Sequence, residues 1–155
     1  MEQSAPLWIV PLFLIGFLAF WLLVTTLLLA LADWPALADR FPDRQETAVK
    51  RFRMCSGGMG TTLPEFFGVN FGNCLTLDVA HAGLRVSVWK LFRPFSPPIL
   101  VPWSEIEAAH RKVLFWPQIR LGFGHPEIGR LTIIPRLAVK LAEASQGKLK
   151  LPPSP

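Results

Sequence analysis

One uncharged, apolar stretch near the N-terminus constrains this chain more than any other feature. No ionisable side chain occurs from Gln3 to Ala32, and 13 of the 18 residues from Leu12 to Leu29 are Leu, Ile, Phe or Val. About 20 apolar residues are enough to cross the hydrocarbon core of a bilayer, so we predict a transmembrane helix over residues 7–32. A buried core helix is disfavoured because the stretch has no polar face to meet water.

Two tryptophans flank the predicted span. Trp8 and Trp34 are 26 residues apart, which at about 1.5 Å per residue places them near the two headgroup layers. Tryptophan is enriched where a span meets the headgroups. We therefore predict that both rings are membrane-interface aromatics, one on each side of the lipid bilayer.

Basic residues predict the orientation of the span. None precedes it, and five follow it closely: Arg40, Arg44, Lys50, Arg51 and Arg53. Because Lys and Arg near a span are retained in the cytoplasm, we predict a single-pass inner-membrane protein with its N-terminus outside and its C-terminal domain cytoplasmic. The presence of Cys55 and Cys74 is consistent with a cytoplasmic domain, since cysteines in a reducing compartment need not pair.

Export followed by cleavage is the alternative to a permanent anchor. Ala30-Leu31-Ala32 matches the small-x-small pattern of a signal-peptidase site, although the apolar run is longer than the usual stretch of about 7 to 15 residues. An envelope protein or enzyme released after Ala32 would carry Cys55 and Cys74 as a candidate disulfide.

The chain changes in composition after the span. Residues 33–46 have a net charge of −2 and two prolines, which predicts a juxtamembrane connector. Trp34, Leu37 and Phe41 fall at helical spacing within it, so a short amphipathic helix in the membrane interface is the alternative. The proline-rich residues 147–155 predict a disordered tail.

Residues 47–146 are predicted to form one β domain, and residues 47–135 within it show the short alternating runs that are typical of β strands. The clearest pair is Cys74–His81 and Leu84–Leu91, which predicts a hairpin with its turn at Ala82-Gly83. A glycine-rich turn is predicted over Gly57–Gly60, and a helix from Pro135 to near Gly147. Further strands are predicted over Ala48–Met54, Thr62–Asn70, Ile99–Pro102, Ile106–Trp116, Gln118–Phe123 and Ile128–Ile134.

This order of seven antiparallel strands and a C-terminal helix resembles a pleckstrin-homology-like (PH-like) domain. The runs GLRVSV and ILVPWSEI, residues 83–88 and 99–106, resemble the "G-L … I-P-W-x-x-I" run of bacterial membrane-associated PH-like and GRAM-like domains. The whole chain is similar to small bacterial single-pass membrane proteins that carry such a cytoplasmic domain. The resemblance implies an α+β fold, in which a mainly antiparallel PH-like barrel or sandwich with a C-terminal helix follows the transmembrane helix.

The same resemblance implies a binding or scaffolding module without a catalytic centre. In PH domains the basic residues that bind lipid flank the first hairpin turn. Here Lys50, Arg51 and Arg53 precede the predicted Gly57–Gly60 turn, which implies that they contact the membrane surface.

No arrangement of residues predicts catalysis, a metal or a cofactor. The glycine-rich run lacks the lysine of a phosphate-binding loop, and His81, His110 and His125 have no Cys or carboxylate at ligand spacing. Residues 47–155 carry 14 Lys and Arg against six Asp and Glu, a net charge of +8. These cations are scattered one per strand, which disfavours nucleic acid. We predict a non-catalytic module that contacts a protein partner or the anionic membrane surface.

Overall fold

A computed structural model describes residues 6–61, 68–93 and 95–154 of the chain. Within these residues the chain forms three α helices and a seven-stranded antiparallel sheet. The prediction of an α+β fold with an apolar N-terminal helix, an antiparallel sheet and a C-terminal helix is confirmed. The elements in chain order are α1 Ile9–Leu31, α2 Trp34–Arg40, β1 Ala48–Met59, β2 Val69–Ala80, β3 Gly83–Val88, β4 Ile99–Pro102, β5 Ile106–Val113, β6 Trp116–Phe123, β7 Gly129–Ile133 and α3 Pro135–Ala144.

Helix α1 is long and apolar enough to cross a membrane, and among the described residues no other helix is. Its 23 residues extend about 34 Å at about 1.5 Å per residue. The N-terminal half is exposed on all sides, whereas Thr25 and Leu29 in the C-terminal half are buried against the rest of the protein. The helix therefore ends inside the folded domain, with Leu29 and Ala32 in its hydrophobic core.

The segment after α1 packs into the same core. The chain turns at Asp33, which has a φ of 59°, and α2 then buries Trp34 and Leu37. Leu37 lies so close to Gly129 of β7 that a Cβ there would come within 2.6 Å of its side chain. The predicted connector 33–46 thus supplies core residues, and its side chains at helical spacing pack against the sheet instead of lipid.

The sheet has the strand order β4-β3-β2-β1-β7-β6-β5. Strand β1 pairs with β2 along its length and with β7 at its end, so it joins the two halves of the sheet. The predicted hairpin is confirmed, with Leu75 opposite Val88 and Val79 opposite Leu84. Every second residue of these strands points to the same face of the sheet. The side chains on one of the two faces pack in the core.

Two of the predicted strand boundaries are wrong, and a third lies largely outside the described residues. The turn predicted over Gly57–Gly60 is wrong, since β1 continues to Met59 and Gly57 lets it approach β7, where a Cβ would come within 3.0 Å of the Thr132 carbonyl oxygen. Most of the predicted strand Thr62–Asn70 lies outside the described residues. The predicted strand Ile106–Trp116 is two strands, because the chain turns at Leu114 with a φ of 56°.

The C-terminal segment packs against the domain through residue 154, in contrast to the disordered tail predicted over 147–155. Leu149 is buried in the core, and Lys148 Nζ donates a hydrogen bond to the His81 carbonyl oxygen at 2.9 Å. His110 Nε2 lies 2.7 Å from the Pro153 carbonyl oxygen. The prolines and lysines suggested disorder, whereas one leucine anchors the segment. Pro155 lies outside the described residues.

Candidate anion-binding groove

A groove of about 350 Å³ opens beside strands β1, β2 and β3. Its walls carry an excess of positive charge. The basic lining residues are Arg51, Arg53, Arg85, Lys90 and Arg93, and the acidic ones are Asp43 and Asp78. Thr76 and Ser87 add hydroxyl groups, so the surface offers donors suited to an anion.

A row of charged side chains across three strands forms one wall. Strand register places Arg51 opposite Asp78 and Asp78 opposite Arg85. Arg51 donates two hydrogen bonds to the buried Asp78 carboxylate, from Nε at 2.8 Å and from Nη2 at 2.9 Å. This bidentate hydrogen bonding raises the pKa of Arg51. Its side chain remains 47% exposed, so the guanidinium group also faces the groove.

Arg85 is held more completely than Arg51. Its Nε donates to Asp43 at 2.8 Å, its Nη2 donates to the Glu46 carbonyl oxygen at 2.7 Å, and its Nη1 lies 3.6 Å from Asp78. These acceptors belong partly to the segment that follows α2. Arg85 therefore ties this segment to the sheet, because its donors are already used within the protein.

Three other cations have donors available to a ligand. Arg53 and Lys90 are exposed, and no carboxylate among the described residues pairs with them. Arg93 donates from Nη1 to the Ser96 carbonyl oxygen at 2.8 Å, while its buried Nε meets no acceptor within the described part of the chain. Burial lowers the pKa of Arg93, and the Asp43 charge partly opposes this.

The structure separates the three residues predicted to contact the membrane surface. Arg51 and Arg53 share one face of β1 and both line the groove, whereas Lys50 points to the opposite face. Lys50 Nζ lies 5.4 Å from the centroid of the Phe52 ring. Sequence reasoning missed the contributions of Arg85, Lys90 and Arg93, although the alternation in β3 together with the hairpin register places Arg85 opposite Asp78.

One end of the groove meets α1. A 3-10 turn over Lys90–Phe92 follows β3, and its Leu91 carbonyl oxygen accepts a hydrogen bond from Trp21 Nε1 at 3.3 Å. The ring centroids of Trp21 and Phe92 are 5.5 Å apart. Lys90, which lines the groove, therefore lies next to a contact with the apolar helix.

The two predicted interface tryptophans have different environments. Trp8 is 63% exposed at the start of α1, and its place in an interface stays a prediction. Trp34 is 1% exposed, and its Nε1 donates to the Pro97 carbonyl oxygen at 2.9 Å. A ring enclosed by protein cannot contact headgroups, so the prediction is wrong for Trp34.

The two cysteines are free. Strand pairing sets Cys55 opposite Leu75, so the side chain of Cys74 leaves the sheet on the other face. Burial raises the pKa of both thiols, which keeps them protonated at neutral pH. No group of three or more Cys, His, Asp or Glu side chains within the described residues could hold a metal ion.

Comparison with family models, with curated proteins and with solved structures gives no match to this chain.

Proposed function

We propose that this protein is a non-catalytic binding module, anchored in the inner membrane by α1, whose PH-like cytoplasmic domain binds the phosphate groups of anionic lipids in its basic groove. The observation that carries the proposal is the continuity between groove and anchor. Lys90 lines the groove and belongs to the turn that packs on Trp21 of α1. A ligand in the groove would therefore be close to the leaflet that receives the helix.

The topology supports a PH-like domain. Seven antiparallel strands in the described residues precede a C-terminal helix, and β1 belongs to both halves of the sheet. This arrangement leaves the groove on the outer side of β1 to β3, where charged side chains replace the apolar ones of the core.

Charge supports an anionic ligand. A cation that approaches the anionic cytoplasmic leaflet gains roughly 1 kcal/mol, so the available Arg53, Lys90 and Arg93 together contribute roughly 3 kcal/mol at low screening. Arginine also binds phosphate through two parallel hydrogen bonds. The combination favours a phosphate-bearing lipid over an uncharged ligand.

Packing supports a retained anchor over export and cleavage. Thr25, Leu29 and Ala32 are buried within the protein, so release of the chain after Ala32 would remove all three residues from the domain. The two cysteines leave opposite faces of the sheet, which also disfavours the disulfide of an exported form.

The test is binding of short-chain anionic lipid to the full-length protein in neutral detergent. We expect monomeric dihexanoyl phosphatidylglycerol to bind and dihexanoyl phosphatidylcholine to bind much more weakly, as measured by calorimetry. Arg53→Glu should weaken binding of the anionic lipid at least tenfold, since reversing one charge beside a phosphate costs more than about 1.4 kcal/mol of binding free energy.

Lys50→Glu is the matched control, because it makes the same charge change on the opposite face of β1. It should leave binding within about twofold, which is a free-energy change of about 0.4 kcal/mol. If both variants lose the same affinity for the anionic lipid, the binding depends on the overall positive charge of the protein, and the groove is not the binding site. Unchanged binding in Arg53→Glu would contradict it as well.

A further inference from the structure

The segment that follows β3 exposes three large apolar side chains. We call residues 89–93 together with Phe95 the aromatic loop. Trp89, Leu91 and Phe95 are 62%, 56% and 81% exposed, while Phe92 between them packs on Trp21 of α1. Large apolar side chains grouped on one surface indicate contact with another apolar phase or partner.

The position at which this loop contacts α1 indicates that the apolar surroundings of the loop are the lipid bilayer. Trp21 lies ten residues before α1 ends at Leu31, which corresponds to about 15 Å along the helix. Beyond Trp21 the helix still exposes leucines on the side away from the domain, at positions Leu23 and Leu27. A bilayer that covers those leucines extends past Trp21 and reaches the aromatic loop.

We infer that the aromatic loop inserts Trp89, Leu91 and Phe95 into the cytoplasmic leaflet beside α1, as a second membrane contact of the domain. This inference rests on the proposed function, in which α1 spans the membrane. It adds a surface that the basic groove does not supply. The domain then lies partly within the interfacial layer, which is typical of amphipathic segments that enter the headgroup and acyl boundary by about 5–10 Å.

The charges of the loop fit this depth. Lys90 and Arg93 alternate with the apolar residues and both line the groove. Long basic side chains keep their stems in apolar surroundings and extend their charged ends to the headgroups. Insertion of the loop would therefore place the opening of the groove at the level of the lipid phosphates, and the two contacts would support each other.

Photocrosslinking of the full-length protein in liposomes tests the inference. The probe p-benzoylphenylalanine is placed in turn at Phe95, at Phe17 in α1 and at Val139 on α3, and the adducts are identified by intact mass. Phe17 and Val139 are both exposed, the first on the membrane helix and the second on the domain. We expect phospholipid adducts at Phe95 and Phe17, with at least a fivefold lower yield at Val139.

The three positions separate the possible failures. Adducts at Phe17 without adducts at Phe95 would overturn insertion of the loop and leave the anchor in place. No adduct at Phe17 would overturn the membrane anchor and this inference together. Protein adducts instead of lipid adducts at Phe95, or equal lipid yields at Phe95 and Val139, would also overturn the inference, because the loop would then have no preferential access to lipid.

Discussion

Replacement of Trp34 by alanine tests whether the segment after α1 is part of the core. The indole is fully enclosed, and its Nε1 donates to the Pro97 carbonyl oxygen at 2.9 Å. Removing a buried tryptophan costs about 3–5 kcal/mol, which includes the lost contacts and the cavity. Against a typical stability of about 5–15 kcal/mol, this loss would lower the melting temperature by roughly 10–20 °C.

The conservative variant separates packing from hydrogen bonding. Trp34→Phe keeps most of the apolar ring but leaves the Pro97 carbonyl oxygen without its donor, so we expect a smaller loss of about 1–2 kcal/mol. Both variants are measured in the full-length protein in mild detergent, by urea unfolding followed through circular dichroism of the sheet.

Trp8→Ala provides the matched control, because Trp8 lies exposed at the other end of α1. We expect it to change the free energy of unfolding by less than about 0.5 kcal/mol. If Trp34→Ala changes the free energy of unfolding as little as Trp8→Ala does, the core position of Trp34 is refuted. The ring would then be interfacial, as the spacing of the two tryptophans suggested.

Three further outcomes follow from the groove, the end of β1 and the thiols. Asp78→Asn should destabilise the protein by roughly 1–3 kcal/mol in the same urea assay, because the flanking guanidinium groups lose a buried acceptor; the exposed Asp39→Asn should not. Gly60→Ala should cost more than about 1 kcal/mol, since φ is +118° and a Cβ would lie 2.6 Å from a backbone oxygen of α1, whereas Gly58→Ala has open space and should cost nothing. Burial raises the pKa of Cys74 and thiolate is the reactive form, so its alkylation should reach half its maximal rate at a higher pH in the folded protein than in urea; a midpoint at or below the unfolded one would contradict this.

Alternation allowed the strands to be predicted where one face is buried. Leu75, Leu77 and Val79 repeat at every second position, and all three are enclosed. The same signal fails at Gly57, because glycine has no side chain to show a face and the close approach to β7 is made by a distant strand.

Helical spacing could not distinguish lipid from protein around Trp34, Leu37 and Phe41. Both surroundings are apolar, so the same three side chains suit either one, and the partner surface at Gly129 is distant in sequence. The choice is decided by tertiary packing that no local pattern contains.

The groove was accessible to sequence reasoning in part. Alternation in β1 separates Lys50 from Arg51 and Arg53, and the confirmed hairpin aligns Asp78 with Arg85. Arg93 was not accessible, because it follows the strand in a proline-rich segment where no periodicity fixes the direction of a side chain.

The burial of Leu29 and Ala32 has a consequence for the order of folding. Leu29 belongs to the apolar helix and Ala32 directly follows its last residue, and both lie in the core that the sheet closes around. The sheet cannot complete its core until the end of the helix has been delivered beside it, so folding of the domain is coupled to placement of the helix. Thr61 reinforces this coupling, since its hydroxyl group donates to the Asp33 carboxylate at 2.6 Å and fixes the end of β1 to the turn after α1. The chain would then gain its full stability only where the helix has found its final environment.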